Sequence, residues 1–459
     1  MGRILWASAL LLSTAAAAQP APNDAKRQAE RALFEKIVEI PTVEGRTAEF
    51  RRLTALLKAE FAKAGITDVV IKDHDNTQTL IARWPAAKPS GKKPILLMAH
   101  MDVVEAKAAD WKNPPFEFRE EGGYYLGRGA SDNKAALTGI VLALQNLKAS
   151  GFQPTRDIII LFTGDEETAQ NGARLAATEW RNLIDAEYAL NGDAGGGAIY
   201  KDGRLDAFYI QVAEKTYADY RLTAVNKGGH SSQPRPDNAI YALAGALKNL
   251  EEYRFPPMIN AATRAFFERI AENDNGSYGE LIRKWLSDPT DRETSDLLES
   301  NQLGYTRTRC VATQLSGGHA PNALPQRAEA NVNCRIFPGV TLEEVRRTLQ
   351  AVAGQDVVVE LADSSPASDV SPLRDDVLEA YRAAVATRFP NPKVVPVQSA
   401  GATDGSYLRS NGMPVYGFGG LFRYVGESSG AHGLDERVLI DGFHGQVPIW
   451  EEMLRRVAG

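Results

Sequence analysis

The sequence predicts an α/β fold, with a mostly parallel sheet flanked by helices and a smaller α+β domain inserted into it. Three observations support this fold class. Short continuous apolar runs, such as residues 94–99, are typical of strands buried on both faces. Strand and helix patterns alternate along the first part of the chain. From about residue 216 the strands alternate polar and apolar residues instead, and the α/β pattern returns towards the C-terminus.

The start of the chain resembles a secretory signal peptide. An apolar segment, residues 4–18, follows Arg3 and ends in three alanines. It is too short to span a bilayer as a mature helix, although the single arginine before it leaves a retained anchor open. We expect an exported protein, periplasmic or secreted, that is cleaved near Ala18 and starts near Gln19.

The metal-binding catalytic domain is predicted to comprise residues 19–214 and 337–459. Thr47 is a suitable N-cap for its second helix, and Gly65 follows the end of that helix. The predicted helices are 25–40, 47–64, 133–149, 341–352, 373–388 and 446–456. The predicted strands are 69–72, 79–84, 94–99, 157–163, 394–397 and 415–417.

The inserted domain is predicted to comprise residues 215–336. Its expected strands are 218–225, 305–315 and 327–336, with a helix over 237–250 and a polar helical stretch over 260–302 that we expect to enlarge the lid. Cys310 and Cys334 lie in two of these strands. If the strands pair as a hairpin, the thiols could form a disulfide in an oxidising compartment. Two unconnected buried thiols are the alternative.

The segment 94–104 ends a buried strand in His100 and Asp102. In open α/β sheets, ligands bind beyond the carboxyl ends of the strands. Both side chains point to the same side of an extended chain, so Asp102 can orient His100 or share its ligand. Alone, such a pair is more often only hydrogen-bonded.

Further acids and a second histidine lie in loops or at strand ends, namely Asp132, Glu166, Glu167, Asp193 and His432. Each acid alone could be a helix cap or a solvated charge. In one crevice the carboxylates would repel one another, and together with two histidines they match the ligand set of a two-metal site. The formal net charge of −6 provides no basic surface and argues against a nucleic-acid partner.

Three motifs resemble the M20 family of metallopeptidases, which includes glutamate carboxypeptidases, aminoacylases and dipeptidases. They are His100-x-Asp102-Val-Val, Gly127-Arg-Gly-Ala-Ser-Asp132-Asn-Lys and Asp165-Glu166-Glu167. The resemblance continues over nearly the whole mature chain, in segments 227–232, 317–318, 322–325, 335–339, 399–404 and at His432.

The resemblance implies a zinc exopeptidase catalytic domain with two Zn²⁺ ions, for which Co²⁺ or Mn²⁺ could substitute. Asp132 would bridge the two ions. His100 and Asp193 would complete one site, and Glu167 and His432 the other. A metal-bound hydroxide would then attack an amide carbonyl.

Catalytic roles follow from the same resemblance. Asp102 would orient His100, and Glu166 would act as general base. His230, in the inserted domain, would stabilise the oxyanion, either within one chain or across a homodimer formed by that domain.

Substrate would be bound by Asn322, Arg335, Gly401 and Thr403. Arg335 is suited to a bidentate grip on a free carboxylate. We expect His74, His319 and His444 to be structural or surface residues.

The implied activity is hydrolysis of the amide bond of a small peptide or N-acyl amino acid with a free carboxylate, of carboxypeptidase or dipeptidase type. An aminopeptidase or aminoacylase of the same clan is the alternative. A non-catalytic binding protein is disfavoured, because a binding protein has no need for Glu166. We expect no nucleic-acid partner and no stable membrane span.

Overall fold

The computed structural model describes residues 24–300, 304–367 and 369–459. The predicted signal peptide, residues 1–18, lies outside them. In the described part of the chain, no helix has both the length and the apolar character needed to cross a bilayer.

The first segment of the catalytic domain contains five helices and nine strands, labelled in chain order. The helices are α1 (Asp24–Val38), α2 (Thr47–Lys63), α3 (Lys134–Ala149), α4 (Asn171–Ala177) and α5 (Arg181–Ile184). The strands are β1 (Asp68–His74), β2 (Thr77–Trp84), β3 (Ile95–His100), β4 (Arg119–Glu121), β5 (Tyr124–Leu126), β6 (Ile158–Thr163), β7 (Tyr188–Asn191), β8 (Gly196–Ile199) and β9 (Leu205–Glu214).

The middle segment contains the second sheet and five helices. Its strands are β10 (Thr216–Val225), β11 (Gly229–His230), β12 (Arg309–Gly317), β13 (Ala323–Leu324), β14 (Arg327–Ile336) and β15 (Val358–Ser364). Its helices are α6 (Ala239–Glu252), α7 (Ala261–Asn273), α8 (Ser277–Ser287), α9 (Arg292–Glu299) and α10 (Leu342–Ala353).

The last segment returns to the catalytic domain. It contains α11 (Asp375–Ala386), β16 (Val394–Ser399), α12 (Gly405–Ser410), β17 (Val415–Gly417), β18 (Phe422–Tyr424), β19 (Arg437–Leu439) and α13 (Ile440–Ala458).

A mixed sheet forms the centre of the catalytic domain, in the order β1-β2-β6-β3-β7-β17-β9-β8-β18, with β16 also paired to β9. The run β6-β3-β7-β17 is parallel, as predicted. Because side chains alternate along a strand, Leu97 packs towards α3 and α13, whereas Leu96 packs towards α4, α5 and α12. Helices therefore cover both faces, which explains the continuous apolar runs.

The inserted domain is built on a four-stranded antiparallel sheet, β12-β14-β10-β15. The predicted boundary at residue 336 is wrong, because β15 pairs with β10 and α10 packs against α6. Val345 and Leu349 of α10 belong to the same apolar core as Leu222 of β10. The insertion thus extends to about residue 364.

Helices α7 to α9 do not enlarge the lid, contrary to the prediction for residues 260–302. Helix α7 packs against β16 of the catalytic sheet, and Arg269 forms an ion pair of 3.0 Å with Asp206. Asn260 donates a hydrogen bond to Gln398 at 2.6 Å. These helices have a small core of their own around Trp285, because their polar pattern leaves one apolar face per helix.

Cys310 and Cys334 form a disulfide bond. The two residues lie directly opposite each other in the β12–β14 register, which resolves the alternative left open by the sequence. The disulfide attaches β12, an edge strand, to the interior of the inserted sheet.

Candidate metal centre

The predicted metal ligands meet at one edge of the central sheet. His100 is the last residue of β3, Glu166 and Glu167 follow β6, and Asp193 follows β7. Because β3 lies between β6 and β7 and all three run parallel, their carboxyl ends lie side by side. The chain thereby brings three separate motifs into one crevice.

Asp132 lies between two groups of side chains, one around His100 and one around His432. On one side, His100 Nε2 lies 2.9 Å from Asp132 Oδ1 and 3.4 Å from Asp193 Oδ1. On the other side, His432 Nε2 lies 2.8 Å from Glu167 Oε2 and 3.3 Å from Asp132 Oδ2. Each oxygen of Asp132 thus faces a different histidine, which is the arrangement of a bridging carboxylate.

These donors fit two zinc ions. Zinc binds imidazole nitrogen and carboxylate oxygen at about 2.0–2.2 Å, so the donors of a tetrahedral site lie about 3.4 Å apart. The observed separations of 2.8–3.4 Å approach this value. His100, Asp132 and Glu167 form one group whose donor atoms lie within 4.8 Å of one another, and His100, Glu166 and Asp193 form another.

The electrostatics of the centre also favour a cation. Burial, with Asp193 nearby, raises the pKa of Glu166 well above its usual range. Burial and the Asp132 carboxylate raise the pKa of Glu167 to about 7. The hydrogen bond to Asp132 raises the pKa of His432 to about 9. This cluster of acids and imidazoles therefore binds positive charge tightly.

Asp102 lies behind His100. Its carboxylate accepts hydrogen bonds from the backbone N–H groups of Glu166 at 3.1 Å and Glu167 at 2.9 Å. Its Oδ1 also lies 3.4 Å from His100 Nδ1, which is 3.1 Å from the Asp102 carbonyl oxygen. Asp102 therefore connects the histidine to the loop that carries both glutamates.

Glu436 supports the Asp132 loop, and the sequence reasoning missed it. Its carboxylate accepts N–H groups of Gly129, Ser131 and Asp132 at 2.8–2.9 Å and forms a 2.7 Å ion pair with Arg128. The only sequence signal is an acid four residues after His432. Such spacing outside a helix has no particular meaning, so the role becomes visible only in the fold.

Two more supporting residues were missed. Asn133 donates to Asp193 Oδ1 at 2.9 Å, which fixes the orientation of that carboxylate. Asp404 is buried and accepts a hydrogen bond from Thr163, the last residue of β6. Burial raises the pKa of Asp404 well above its usual range.

A crevice of about 710 Å³ extends from the metal centre to the inserted domain. Arg335 lines it, together with Tyr217, over whose ring the guanidinium lies at 4.9 Å. Gly401 and Thr403 line it from the catalytic domain. Their expected donors are already engaged, since the Gly401 N–H donates to Ser399 Oγ and the Thr403 hydroxyl to Glu214.

His230 and Asn322 lie close to each other in the inserted domain. His230 lies in β11 of a short two-stranded ribbon, β11–β13, and Asn322 directly precedes β13. The Ser231 N–H donates to the Asn322 carbonyl at 3.0 Å. His230 is exposed, and its Nδ1 lies 2.7 Å from Ser232 Oγ. Neither is among the described residues that line the crevice of the same chain.

The three remaining described histidines lie outside the centre. His444 is buried between Glu30 and Tyr125, and His74 Nε2 lies 2.8 Å from Thr79 Oγ1. His319 is exposed in a loop of the inserted domain.

Most of this chain matches known proteins. The model of peptidase family M20/M25/M40 matches residues 96–456. The human N-fatty-acyl-amino acid synthase/hydrolase PM20D1 is 28% identical over 455 residues, covering 94% of this chain and 88% of the relative. Probable carboxypeptidase S-like 2 of Dictyostelium discoideum is 25% identical over 395 residues, covering 82% and 74%.

Solved structures share the fold. An M20 family metallo-carboxypeptidase, Sso-CP2 from Sulfolobus solfataricus, has a TM-score of 0.66 at 18% identity, covering 93% of this chain and 98% of that chain. The Bacillus subtilis YXEP protein, described as a dinuclear metal binding peptidase, has a TM-score of 0.60 at 14% identity, covering 94% and 98%.

Proposed function

Because this chain belongs to peptidase family M20/M25/M40, we propose that it hydrolyses the amide bond of N-acyl amino acids that carry a free carboxylate, using two zinc ions. One observation carries the proposal. A single crevice contains the metal-ligand acids, the additional carboxylate of Glu166 and the guanidinium of Arg335. It can therefore activate water at one end and hold an anionic substrate at the other.

Five side chains would hold the ions. Asp132 would be shared, with His100 and Asp193 on one side and His432 and Glu167 on the other, in agreement with the distances between their donor atoms. Zinc bound there would polarise the substrate carbonyl and lower the pKa of a water molecule to about 7.

Glu166 would move the proton. It lies beside the ligand Glu167 and is oriented by Gln170, whose amide donates to Glu166 Oε1 at 3.1 Å. It would take a proton from the attacking water and deliver it to the nitrogen of the scissile amide. Arg335 would hold the carboxylate of the amino acid product. The ring of Tyr217, over which the guanidinium lies, would orient that guanidinium.

The test of this mechanism is Glu166→Gln. We expect zinc content to stay at two ions per chain, while kcat for N-acyl amino acid hydrolysis falls by about 100- to 10,000-fold because the proton carrier is removed. Glu179→Gln, an exposed acid beyond α4, is the matched control and should retain full activity. Unchanged turnover in Glu166→Gln would contradict the proposed mechanism.

A second candidate activity is cleavage of dipeptides or peptide C-termini, which the name of the Dictyostelium relative favours. The N-fatty-acyl-amino acid relatives favour N-acyl substrates. A panel of N-acyl amino acids and dipeptides, each as free acid and as amide, separates the two. We expect N-acyl free acids to be cleaved fastest, and amides to lose at least about tenfold in kcat/KM through loss of the Arg335 contact.

His230 would act in a homodimer formed through the inserted domain. His230 is exposed and does not line the crevice of its own chain. To stabilise the oxyanion, it would therefore have to enter the crevice of the second chain. We expect His230→Ala to lose about 100- to 1,000-fold in rate.

Mixing His230→Ala with Glu166→Gln tests whether His230 acts across chains. Each variant should be nearly inactive alone. After subunit exchange, a heterodimer contains one intact site, and about a quarter of the wild-type activity should return. If no activity returns although light scattering shows dimers, His230 does not act across the interface.

We also propose that the protein is exported and cleaved near Ala18. The disulfide between Cys310 and Cys334 supports this, because such bonds persist in oxidising compartments. N-terminal sequencing of protein purified from its native host should start near Gln19. A chain that starts at Met1 would contradict the proposal.

A further inference from the structure

A second cavity, of about 1170 Å³, lies in the inserted domain. Leu243 and Leu247 of α6, Ala312 and Leu315 of β12, and Val332 of β14 all line it. Apolar residues thus form the largest part of the lining, and charged side chains, among them Lys215, Lys248 and Arg307, also contribute to it.

This cavity adjoins the crevice of the metal centre. Arg335 lines both spaces. Ala400 lines the cavity, while its neighbours Ser399 and Gly401 line the crevice. The two spaces therefore meet at Arg335, the residue proposed to hold the substrate carboxylate.

Apolar side chains around the cavity are exposed to an unusual degree. Leu315 is 70% exposed and Ile240 is 41% exposed. Tyr253 and Phe255, with ring centroids 5.1 Å apart, continue the apolar lining beyond the end of α6. Apolar side chains that surround a space of this size indicate a binding site for an apolar group.

We infer that this space, the acyl-chain cavity, binds the hydrocarbon tail of an N-acyl amino acid whose amide lies in the metal crevice. This inference rests on the proposed function and specifies its substrate class as long-chain N-acyl amino acids. An unbranched acyl chain has its polar atoms at one end only, and that end would lie at the junction near Arg335. A peptide would carry an N–H and a C=O group at every residue past the apolar side chains of α6 and β12, which offer these groups no hydrogen-bond partner.

Burial of the tail has a measurable consequence. Each methylene group removed from water contributes about 0.8 kcal/mol, equivalent to about fourfold in affinity. We therefore expect kcat/KM of the zinc-loaded enzyme to rise by at least about 100-fold from N-acetyl to N-octanoyl derivatives of the same amino acid.

Ala244→Trp tests the location of the tail. Ala244 lines the cavity on an exposed face of α6, so an indole would fill the space without entering the core. We expect kcat/KM for the N-octanoyl substrate to fall at least about tenfold, while the N-acetyl value stays within about threefold of wild type. Gly245→Trp is the matched control, because Gly245 is outside the cavity lining and a Cβ there meets nothing within 4 Å.

Calorimetric titration with dodecanoate gives a readout independent of turnover. Wild type and Gly245→Trp should bind it, and Ala244→Trp should bind at least about tenfold more weakly. If no N-acyl amino acid is cleaved, the proposed function fails, and this titration alone decides whether the cavity binds acyl chains.

Two results would overturn the inference. One is hydrolysis of the N-acetyl substrate without any rise in kcat/KM with chain length, which would leave the proposed function intact. The other is an equal loss on both substrates in Ala244→Trp, together with a lower mass by light scattering. That result would show that a second copy of the chain covers the cavity instead.

Discussion

Glu436 illustrates how a residue outside the ligand set can determine metal binding. It accepts hydrogen bonds from three backbone N–H groups of the Asp132 loop and neutralises Arg128. Glu436→Gln retains only one acceptor oxygen for these partners. We expect zinc affinity to fall about 10- to 100-fold, as is typical when support of a ligand is removed.

Competition with a zinc chelator measures this change. Asp435→Asn, at the exposed neighbouring position, is the control and should bind zinc as wild type does. Equal affinity in Glu436→Gln and wild type would mean that the Asp132 loop holds its shape without the carboxylate.

Asp102 makes a different contribution, because it contacts His100 and the glutamate loop but is not among the described residues that line the crevice. Asp102→Asn replaces an acceptor oxygen by an NH₂ group that cannot accept the N–H of Glu166 or Glu167. We expect kcat to fall by about 10- to 100-fold while most of the zinc stays bound. Parallel assays of activity and metal content check this, and complete loss of metal would identify Asp102 as a ligand.

At the residue scale, the sequence indicates the candidate site residues that lie within short motifs. His100, Asp132, Glu167, Asp193 and His432 were predicted as ligands because each lies in a short pattern at a strand end or loop, and the structure brings the five side chains together. Glu436 and Asp404 were missed because their partners are about 240 to 300 residues away in the chain. No local pattern encodes such contacts.

At the scale of elements, the disulfide holds the edge strand β12 in place. It closes a loop with a sequence separation of 24 residues. Replacing both cysteines by serine should lower the free energy of unfolding of the inserted domain by about 2–4 kcal/mol, since the unfolded chain gains freedom. Urea denaturation under oxidising conditions measures this, with wild type in reductant as comparison. An unchanged midpoint would mean that β12 is held by its backbone pairing alone.

Element types were easier to predict from the sequence than element partners. The strands around residues 218–225, 305–315 and 327–336 are close to β10, β12 and β14. The predicted end of the inserted domain, at residue 336, lies too early in the chain. The amphipathic pattern of α10 indicates that the helix buries one face, but it does not indicate which of the two sheets that face covers. For the same reason, the sequence did not indicate that α7 packs against the catalytic sheet, together with α8 and α9 in one small core.

At the scale of the whole molecule, metal removal should make stability depend on pH. In the metal-free protein the pKa of Glu167 is raised from 4.5 to about 7 and that of His432 from 6.5 to about 9. Groups with a raised pKa bind protons more tightly when folded. Their stabilising contribution is complete below the unfolded pKa values and is lost as pH rises through the folded values.

We therefore expect the Tm of the chelated protein to fall by about 5 °C or more between pH 5 and pH 9. The lowered pKa of Asp132 acts below this window, because that carboxyl is ionised in both states throughout it. Zinc-loaded protein should show a smaller change, since metal replaces the protons. Calorimetry of both forms checks the sign, and a rise in Tm of the chelated form would contradict it.

The fold class was predicted because periodicity and element order are properties of the sequence itself. The sheet order and the meeting of the two cavities at Arg335 were not, because both depend on how two sheets are oriented in space.

The catalytic domain is built from two separate segments of the chain, which affects its folding during translation. Strand β17 lies between β7 and β9 in the sheet, and His432 and Glu436 come from the same late segment. During translation, at about 5–20 residues per second, the emerging catalytic half must wait about ten seconds or more for its missing central strand. The inserted domain, whose strands are complete by Ser364, can fold on the ribosome first. We expect nascent chains stalled before β17 to contain a folded lid beside an exposed, chaperone-binding sheet edge.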